Sequence, residues 1–273
     1  MEQKSIGLIA GNGRFPVLAA LEASRQGYRV AVCALRGEAD SQLESMADAW
    51  TSVKLGEMGK LVRFFKEQQV TQLLMAGKVQ KVRLFQENVQ PDFDMLKILM
   101  KTRDFKDDSL LLGIASYLEQ QGLPLIDSTH FLRDCLPGEG GLGKKKPSKE
   151  VLEDISFGFE MAKAIAGLDI GQTVIVKKKA VLAVEAIEGT DLAIMRGFEL
   201  GREGVVAVKV AKPNQDMRFD VPTIGMQTLN TLIEAKAAAL AFEAGKTLLL
   251  DREEFISKAD QHGIVIYGIK GQE

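Results

Sequence analysis

The fold of the first half of the chain is decided by the stretch Ser5-Ile6-Gly7-Leu8-Ile9-Ala10-Gly11-Asn12-Gly13-Arg14-Phe15-Pro16. This stretch predicts an apolar strand, a glycine turn and a helix, because apolar residues recur at helical spacing after the glycines. A second run, 28–35, is too uniformly apolar for a sheet with one wet face, so it favours a parallel sheet covered by helices. With further strands at 71–76 and 123–127, this half is predicted to be a Rossmann-like domain.

Residues 135–147 are rich in glycine, proline and lysine, a composition that supports no helix or strand interior. We therefore predict domains over 1–134 and 148–273, with 135–147 as the linker. The second domain is predicted to contain both helices and strands. Its predicted elements are a helix at 148–166, a hairpin of 173–176 with 180–187, a helix to about 200, a strand at 205–211, a helix at 226–244, a strand at 247–250, a helix capped by Asp251 and a strand at 264–267. The fold class is α/β: an N-terminal Rossmann-like parallel-sheet domain plus a C-terminal mixed α/β domain.

Composition excludes several classes of protein. The 273 residues include 35 basic and 37 acidic side chains, for a net charge of −2, which disfavours a nucleic-acid partner. Cys33 and Cys135 are far apart in sequence, which argues against a disulfide framework or a thiolate zinc site. The chain has no secretory signal and no 18-residue apolar run, so we predict a cytoplasmic protein; peripheral contact with a membrane surface and a homodimer stay open.

The Gly11-x-Gly13 turn is half of a dinucleotide-binding fingerprint. Its third glycine is missing, and Pro16 suits the first turn of a helix better than a nucleotide loop. Acidic residues Glu38 and Asp40 after the second strand keep an NAD(P)-dependent oxidoreductase among the alternatives. A tight structural turn and a phosphate site of another kind are the other interpretations of the same residues.

The densest chemistry lies in Lys212-Pro213-Asn214-Gln215-Asp216-Met217-Arg218-Phe219-Asp220-Val221-Pro222-Thr223-Ile224-Gly225, a polar loop after a predicted strand. Ligands of α/β proteins usually bind at such strand ends. Asp220 lies between two apolar residues, where an aspartate needs a bound partner if it is buried. Lys212 and Arg218 can neutralise charge on a phosphoryl group, Arg218 by bidentate contact.

Carboxylates gather at turn positions of the second half, and such clusters with few histidines suit Mg²⁺ or Mn²⁺. The candidates beside Asp220 are Glu188, Asp191 and Asp216. The alternative is that Asp191 caps a helix and Asp216 is solvated. The pair Asp107-Asp108 can likewise bind a metal or begin a helix, and the second interpretation is favoured.

Five motifs together resemble the LpxI-type UDP-2,3-diacylglucosamine pyrophosphatases of lipid A biosynthesis. They are Gly11-Asn12-Gly13-Arg14-Phe15-Pro16, Gly77-Lys78-Val79, Asp169-Ile170-Gly171-Gln172, Val184-Glu185-Ala186-Ile187-Glu188-Gly189-Thr190-Asp191 and the Lys212 to Gly225 loop. The resemblance implies an enzyme that hydrolyses the pyrophosphate of UDP-2,3-diacylglucosamine to UMP and 2,3-diacylglucosamine 1-phosphate (lipid X). A lipid- or nucleotide-binding protein without catalysis is the non-enzyme alternative.

The resemblance also implies roles for single residues. The family aspartate that is essential for turnover matches Asp220, and a divalent cation, Mg²⁺ or Mn²⁺, is expected to be held by Asp220 with one or more of the other carboxylates. Lys212 and Arg218 are expected to act in catalysis. The residues expected to bind substrate are Gly11, Asn12, Gly13, Lys78, Thr190 and Gln215.

Overall fold

A computed structural model describes residues 4–79, 90–102 and 107–271 of the chain, and the side chains of Asp107 and Asp108 lie outside the described set. The chain divides into two compact units. The first comprises residues 1–132 with Asp216–Asp220, and the second comprises 133–215 and 221–273. The chain therefore passes between the units three times, and the loop that carries most of the predicted chemistry is shared between them.

The first unit has a four-stranded parallel sheet in the order β3-β2-β1-β4, which is the order of the first four strands of a Rossmann fold. Its strands are β1 Ser5–Ala10, β2 Arg29–Leu35, β3 Ala49–Val53 and β4 Leu73–Ala76. Its helices are α1 Arg14–Arg25, α2 Gln42–Met46, α3 Met58–Glu67, α4 Phe93–Lys101 and α5 Asp107–Gln120. The Rossmann-like parallel sheet predicted for this half is confirmed.

Two parts of the first unit differ from the prediction. Strand β3 was missed because its residues are mostly half-buried and show no apolar run. The strand expected at 123–127 is reduced to one parallel bridge between Leu73 and Leu125. Pro124 has no N–H to donate to a ladder, although its carbonyl accepts from Leu73 N at 2.9 Å.

The second unit has a six-stranded mixed sheet in the order β5-β12-β10-β8-β6-β7. Strands β8, β10 and β12 are parallel, and β6, β7 and β5 run antiparallel to their neighbours. Its strands are β5 Gly140–Gly141, β6 Thr173–Lys177, β7 Ala180–Val184, β8 Val206–Lys209, β10 Ala239–Glu243 and β12 Val265–Ile269; a separate pair is β9 Thr223–Ile224 with β11 Leu248–Leu249. The mixed α/β character predicted for this half is confirmed.

Helices cover both faces of this sheet. They are α6 Lys149–Gly167, α7 Thr190–Gly201, α8 Met226–Glu234 and α9 Arg252–Gln261. Alternate strand residues separate two cores: Val174 and Val208 pack with α6, whereas Ile175 and Phe242 pack with the other helices. Because both faces are buried, the strands show apolar runs rather than alternation.

The helix predicted over 226–244 is wrong. Helix α8 ends at Glu234, Lys236 adopts a left-handed conformation with φ 45°, and residues 239–243 form the central strand β10. Alanine favours helix by intrinsic propensity, but β10 lies between two parallel strands and is fully buried, so tertiary packing overrides that propensity. This error matters because β10 ends in a buried glutamate, Glu243.

Two local expectations in the second unit also fail. Asp251 precedes α9 but is left-handed (φ 47°), and its side chain makes no capping hydrogen bond. Within 135–147, for which no strand was expected, Gly140 and Gly141 pair with β12. A Cβ at Gly268 would lie 2.1 Å from Gly138 O, so the approach of this segment depends on a glycine in β12.

The two cysteines are free thiols, as expected for structural cysteines. Cys33 is fully buried in β2, and desolvation raises the pKa of its thiol to about 12. It is therefore protonated near neutral pH and unsuited to nucleophilic chemistry.

Candidate active site

The glycine turn after β1 packs directly on the turn after β4. Asn12 N donates to Lys78 O at 2.7 Å, and Lys78 N donates to Asn12 O at 2.9 Å. A Cβ on Gly11 would lie 2.6 Å from Lys78 O, and one on Gly77 would lie 2.7 Å from Asn12 O. The close contact of two backbone turns thus explains both glycines, and it brings the predicted substrate-binding residues Gly11, Asn12 and Lys78 together.

Helix α1 begins directly after this turn, with Gly13 at its N-cap position and φ 99°. Such a conformation strains any residue with a Cβ. Asn12 also donates from Nδ2 to Glu38 O at 3.2 Å, which ties the turn to the end of β2. The turn is consequently fixed from two sides at the carboxyl edge of the parallel sheet, where backbone N–H groups at a helix start favour anions.

The segment Asp216–Asp220 is held at the same edge of the sheet by Ser128. Ser128 N donates to Met217 O at 2.8 Å, and Ser128 Oγ lies 2.6 Å from Met75 O and 2.7 Å from Arg218 O. Met75 is in β4, two residues before Gly77. Sequence reasoning missed Ser128, because neither its burial nor its two carbonyl partners can be read from the sequence.

Phe219 anchors this segment in the core of the first unit, where it is 4% exposed. The next residue, Asp220, is exposed and adopts a left-handed conformation with φ 52°. Aspartate is among the few residues with a Cβ that visit this conformation readily. The sequence favoured Asp220 on the condition that its side chain is buried, and that condition is not met. Asp220 lies at the surface, next to the buried anchor Phe219.

Asp216 and Arg218 form a bidentate ion pair. Arg218 Nε lies 3.0 Å from Asp216 Oδ1, and Arg218 Nη2 lies 2.7 Å from Oδ2. The hydrogen bonds from Arg218 hold the pKa of Asp216 below its ordinary value of 3.8, and those to Asp216 raise the pKa of Arg218. Asp216 is thus paired rather than simply solvated, and the guanidinium is already oriented before any phosphate arrives.

This pair predicts a pH dependence of stability. A carboxylate whose pKa is lowered in the folded protein stabilises it fully above the ordinary value and loses that contribution as pH falls through the lowered value. We expect Asp216→Asn to be less stable than wild type at pH 6, with the difference shrinking as pH falls below about 4. Urea midpoints at pH 6, 4.5 and 3.5 measure this; a gap that stays constant over these pH values would contradict it.

In the second unit, Lys212 is held by Asp169 and Gln215. Its Nζ lies 2.7 Å from Asp169 Oδ1, and the lysine side chain is 11% exposed. Lys212 N donates to Gln215 Oε1 at 3.3 Å, and Gln215 N donates back to Lys212 O at 3.2 Å. Gln215, predicted to bind substrate, closes the turn that carries the predicted catalytic lysine.

Thr190, another predicted substrate-binding residue, is the first residue of α7 and lies in a buried polar chain. Lys209 Nζ donates to Thr190 Oγ1 at 2.8 Å, and Thr190 Oγ1 donates to Glu185 Oε1 at 2.9 Å. Lys209, at the end of β8, is only 3% exposed. Sequence reasoning missed Lys209, although a lysine inside the run Val205-Val206-Ala207-Val208-Lys209-Val210-Ala211 is an unusual residue for a buried strand.

The remaining predicted metal ligands have protein partners. Glu188 Oε1 lies 2.9 Å from Arg196 Nη2, and Glu188 Oε2 accepts from Ala186 N at 3.1 Å. Asp191 Oδ1 accepts from Thr228 Oγ1 at 2.8 Å. Among the described side chains of residues 4–79, 90–102 and 109–271, no group of three or more histidines, cysteines, aspartates or glutamates could hold a metal ion. The four carboxylates therefore do not form a ready-made site within either unit.

Mg²⁺ does not require such a cluster, because it usually keeps several waters and binds through one or two carboxylates together with substrate phosphates. Asp220, with an exposed carboxylate, fits the role of a single protein ligand. Asp216 fits it less well, since a cation would compete with Arg218 for both of its oxygens.

Two protein-family models match the chain, one over each half. The model of the LpxI N-terminal domain matches residues 5–135, and the model of the LpxI C-terminal domain matches residues 138–267. UDP-2,3-diacylglucosamine pyrophosphatase LpxI of Caulobacter vibrioides is 34% identical over 282 residues, covering 99% of each chain. The chain belongs to the LpxI family. The resemblance seen in the motifs is confirmed over the whole length.

Solved structures add little to this assignment. UDP-glucose-4-epimerase of Stenotrophomonas maltophila is 13% identical with a TM-score of 0.30, covering 45% of this chain and 35% of its own. A biotin carboxylase of Campylobacter jejuni is 12% identical with a TM-score of 0.25, covering 73% of this chain and 42% of its own.

No helix within the residues that the structure describes is long and apolar enough to cross a membrane.

Proposed function

We propose that this LpxI-family chain hydrolyses the pyrophosphate of UDP-2,3-diacylglucosamine to UMP and 2,3-diacylglucosamine 1-phosphate (lipid X) in lipid A biosynthesis. Family membership makes it a hydrolase that acts on a diphosphate bond. One observation carries the assignment of the site. Ser128 ties the segment that ends in Asp220 to β4, beside the glycine turn and Lys78, at the sheet edge where α/β proteins bind nucleotides.

Each group has a task in this reaction. The Asp220 carboxylate accepts the proton of the attacking water or holds the cation that activates it. Arg218, in the first unit, opposes the charge that builds on the phosphoryl oxygens and on the departing phosphate. Lys212, in the second unit, is proposed for the same task because it lies in the same loop of the sequence. Both cations already have a carboxylate partner, Asp216 and Asp169, so they are oriented without substrate. Lys78 and the turn 11–13 bind the anionic part of the substrate.

A divalent cation, Mg²⁺ or Mn²⁺, is part of the proposal. It is supported by the exposed carboxylate of Asp220 and by the diphosphate of the substrate, which together supply the oxygen ligands that these ions prefer. When bound, the ion would polarise the pyrophosphate and lower the pKa of a water. Glu188 and Asp191 fit the role of ligand less well, because Arg196 and Thr228 already bind their carboxylates.

The test is incubation of the purified protein with UDP-2,3-diacylglucosamine, with Mg²⁺, Mn²⁺ or EDTA, and separation of UMP from lipid X. We expect both products in equal amounts with metal and a large loss of rate with EDTA that added Mg²⁺ or Mn²⁺ restores. Full activity in EDTA would overturn the metal requirement alone. No UMP under any metal condition would overturn the pyrophosphatase.

The alternatives are separated by ligand binding. If the protein is a nicotinamide-dependent oxidoreductase, NAD(H) raises its melting temperature and UDP-sugars do not. If the protein only binds its ligand, lipid X or UMP raises the melting temperature and UDP-2,3-diacylglucosamine is not hydrolysed. If it is a pyrophosphatase, UMP and lipid X raise the melting temperature, UDP-2,3-diacylglucosamine is hydrolysed, and NAD(H) has no effect. The contact of Gly11 with Lys78 also gives this turn a packing role that does not require a dinucleotide.

Contact with a lipid surface is proposed through helix α4. Phe93, Leu96 and Met100 lie on one side of this helix, at i, i+3 and i+7, and are 73%, 44% and 87% exposed. The Nζ of Lys97 lies 4.3 Å from the Phe93 ring centroid, so a cation accompanies the apolar face. The proposed substrate carries two acyl chains and resides in a bilayer, which makes lipid the expected occupant of this face.

We therefore expect the variant Phe93→Ser with Met100→Ser to bind vesicles of phosphatidylethanolamine and phosphatidylglycerol roughly tenfold more weakly than wild type. Vesicle sedimentation measures this binding. Leu200→Ser is the control, because Leu200 is 65% exposed on α7 of the other unit. Equal binding by the double variant and wild type, or an equal loss in the control, would contradict the proposed surface.

A further inference from the structure

The strongest unassigned feature is an ion trio around the buried carboxylate of Glu243, at the end of the central strand β10. Glu243 is 4% exposed. Its Oε2 lies 3.0 Å from Lys163 Nζ, and its Oε1 lies 2.9 Å from Lys246 Nζ. Lys163 comes from helix α6, so the trio joins α6 to the carboxyl edge of the sheet.

The same trio holds the backbone of Ala211. Ala211 N donates to Glu243 Oε2 at 3.0 Å, and Lys163 Nζ donates to Ala211 O at 2.8 Å. The hydrogen-bonded pairing of β8 with β10 ends at Lys209 and Phe242. Beyond that point the side chain of Glu243, rather than the backbone of β10, binds the segment that follows β8. Both polar backbone groups of a fully buried residue are thereby satisfied by charged side chains.

Ala211 is followed at once by Lys212, the cation assigned to catalysis. The end of α6 reaches both residues: Lys163 binds Ala211 O, and Asp169, two residues beyond the helix, binds Lys212 Nζ. Fixing the peptide before Lys212 fixes the direction in which its side chain leaves the backbone. Burial of the Glu243 carboxylate costs desolvation energy that offsets much of its attraction to the two lysines, so the location of this group beside Lys212 favours a role in orientation.

We propose that Glu243, together with Lys163, is a positioning residue that holds Ala211 so that Lys212 points at the reacting phosphate. This inference rests on the proposed function, since it needs Lys212 to act in turnover. Neither Glu243 nor Lys163 touches substrate in this account.

The test is a double-mutant cycle on kcat with UDP-2,3-diacylglucosamine. Glu243→Gln keeps the shape of the side chain and removes its charge. We expect kcat to fall about tenfold with KM within about twofold of wild type, because displacing a catalytic group lowers turnover more than binding. In the Lys212→Ala background the same substitution is expected to change kcat by less than about twofold, because the group it positions is gone.

The matched control is Asp154→Asn. Asp154 is also a buried carboxylate of α6, but it accepts from Lys178 N and Lys179 N in the turn between β6 and β7. Because β6 is antiparallel to β8, this turn lies at the opposite edge of the sheet. The control is expected to lose stability and to keep kcat.

If Glu243→Gln does not fold, Lys163→Met tests the same contact, since it removes the bonds to Glu243 and to Ala211 O. The inference is overturned if the variant that folds keeps wild-type kcat, if its loss is the same with and without Lys212, or if Asp154→Asn loses as much. Inactive wild-type protein would instead overturn the proposed function. The two failures are therefore distinguishable.

Discussion

Asp220→Ala is expected to lower kcat by about a thousandfold or more while the protein keeps its fold and still binds UDP-2,3-diacylglucosamine. The left-handed backbone at this position costs an alanine about 1 kcal/mol, which a folded protein tolerates. Asp220 is exposed, so its removal leaves no cavity, and Phe219 and Ser128 still hold the segment. A group that acts only in the transition state affects kcat far more than KM. Turnover, melting temperature and binding of substrate by calorimetry measure the three parts of this prediction.

Asn214→Ala is the control for this substitution. Asn214 is exposed in the same loop and has no role in the proposed site. We expect near-wild-type kcat for this variant. An Asp220→Ala enzyme with near-normal turnover would exclude Asp220 from the chemistry, and a variant that fails to bind substrate would assign it to binding rather than to catalysis.

The second large effect is expected on stability, from Gly171→Ala. A Cβ at Gly171 would lie 2.0 Å from Glu185 O and 2.7 Å from Glu185 C, both in the backbone, which cannot move aside as a flexible side chain can. Gly171 lies just before β6, and Glu185 just after β7, where Glu185 N donates to Thr173 O at 2.8 Å. We expect a loss of about 3 kcal/mol in the free energy of unfolding, measured by urea denaturation.

Gly141→Ala is the matched control, because a Cβ at that position meets no atom within 4 Å. Its loss is expected to stay within roughly 0.5 kcal/mol, as for most surface substitutions. Because Glu185 also accepts from Thr190, we expect Gly171→Ala to lower activity even where the protein is still folded. Equal stability of the Gly171 and Gly141 variants would contradict the close backbone contact.

The sequence predicted the parts of the fold in which a local pattern agrees with the tertiary environment. The strand, glycine turn and helix from Ser5 to Arg25 are one example, and the helix that begins after Ser148 is another, since Ser148 Oγ accepts from Val151 N at 3.3 Å. The alanine-rich run after Met226 is the opposite case. Its composition favours helix, and only the neighbouring strands β8 and β12 make it a strand.

A candidate site can be predicted from the sequence where chemistry is dense along the chain, and less so where contacts join residues far apart in sequence. Lys212, Arg218 and Asp220 form one polar loop, so their residue types alone predict a phosphate site. Ser128 and Glu243 act through contacts with residues 90 and 32 positions away, which no sequence spacing reveals. Glu243 was also hidden inside a run predicted to be helix. The divalent cation and all four of its proposed ligands, Asp220 included, stay predictions.

Hydrolysis of UDP-2,3-diacylglucosamine in water enriched in ¹⁸O tests the central claim most directly. We expect UMP and lipid X in equal amounts, with one ¹⁸O atom incorporated on the phosphate of one of the two products and none in the Asp220→Ala reaction beyond its residual turnover. An intact diphosphate, or UMP released without ¹⁸O in either product, would contradict the assignment of this chain as a pyrophosphatase.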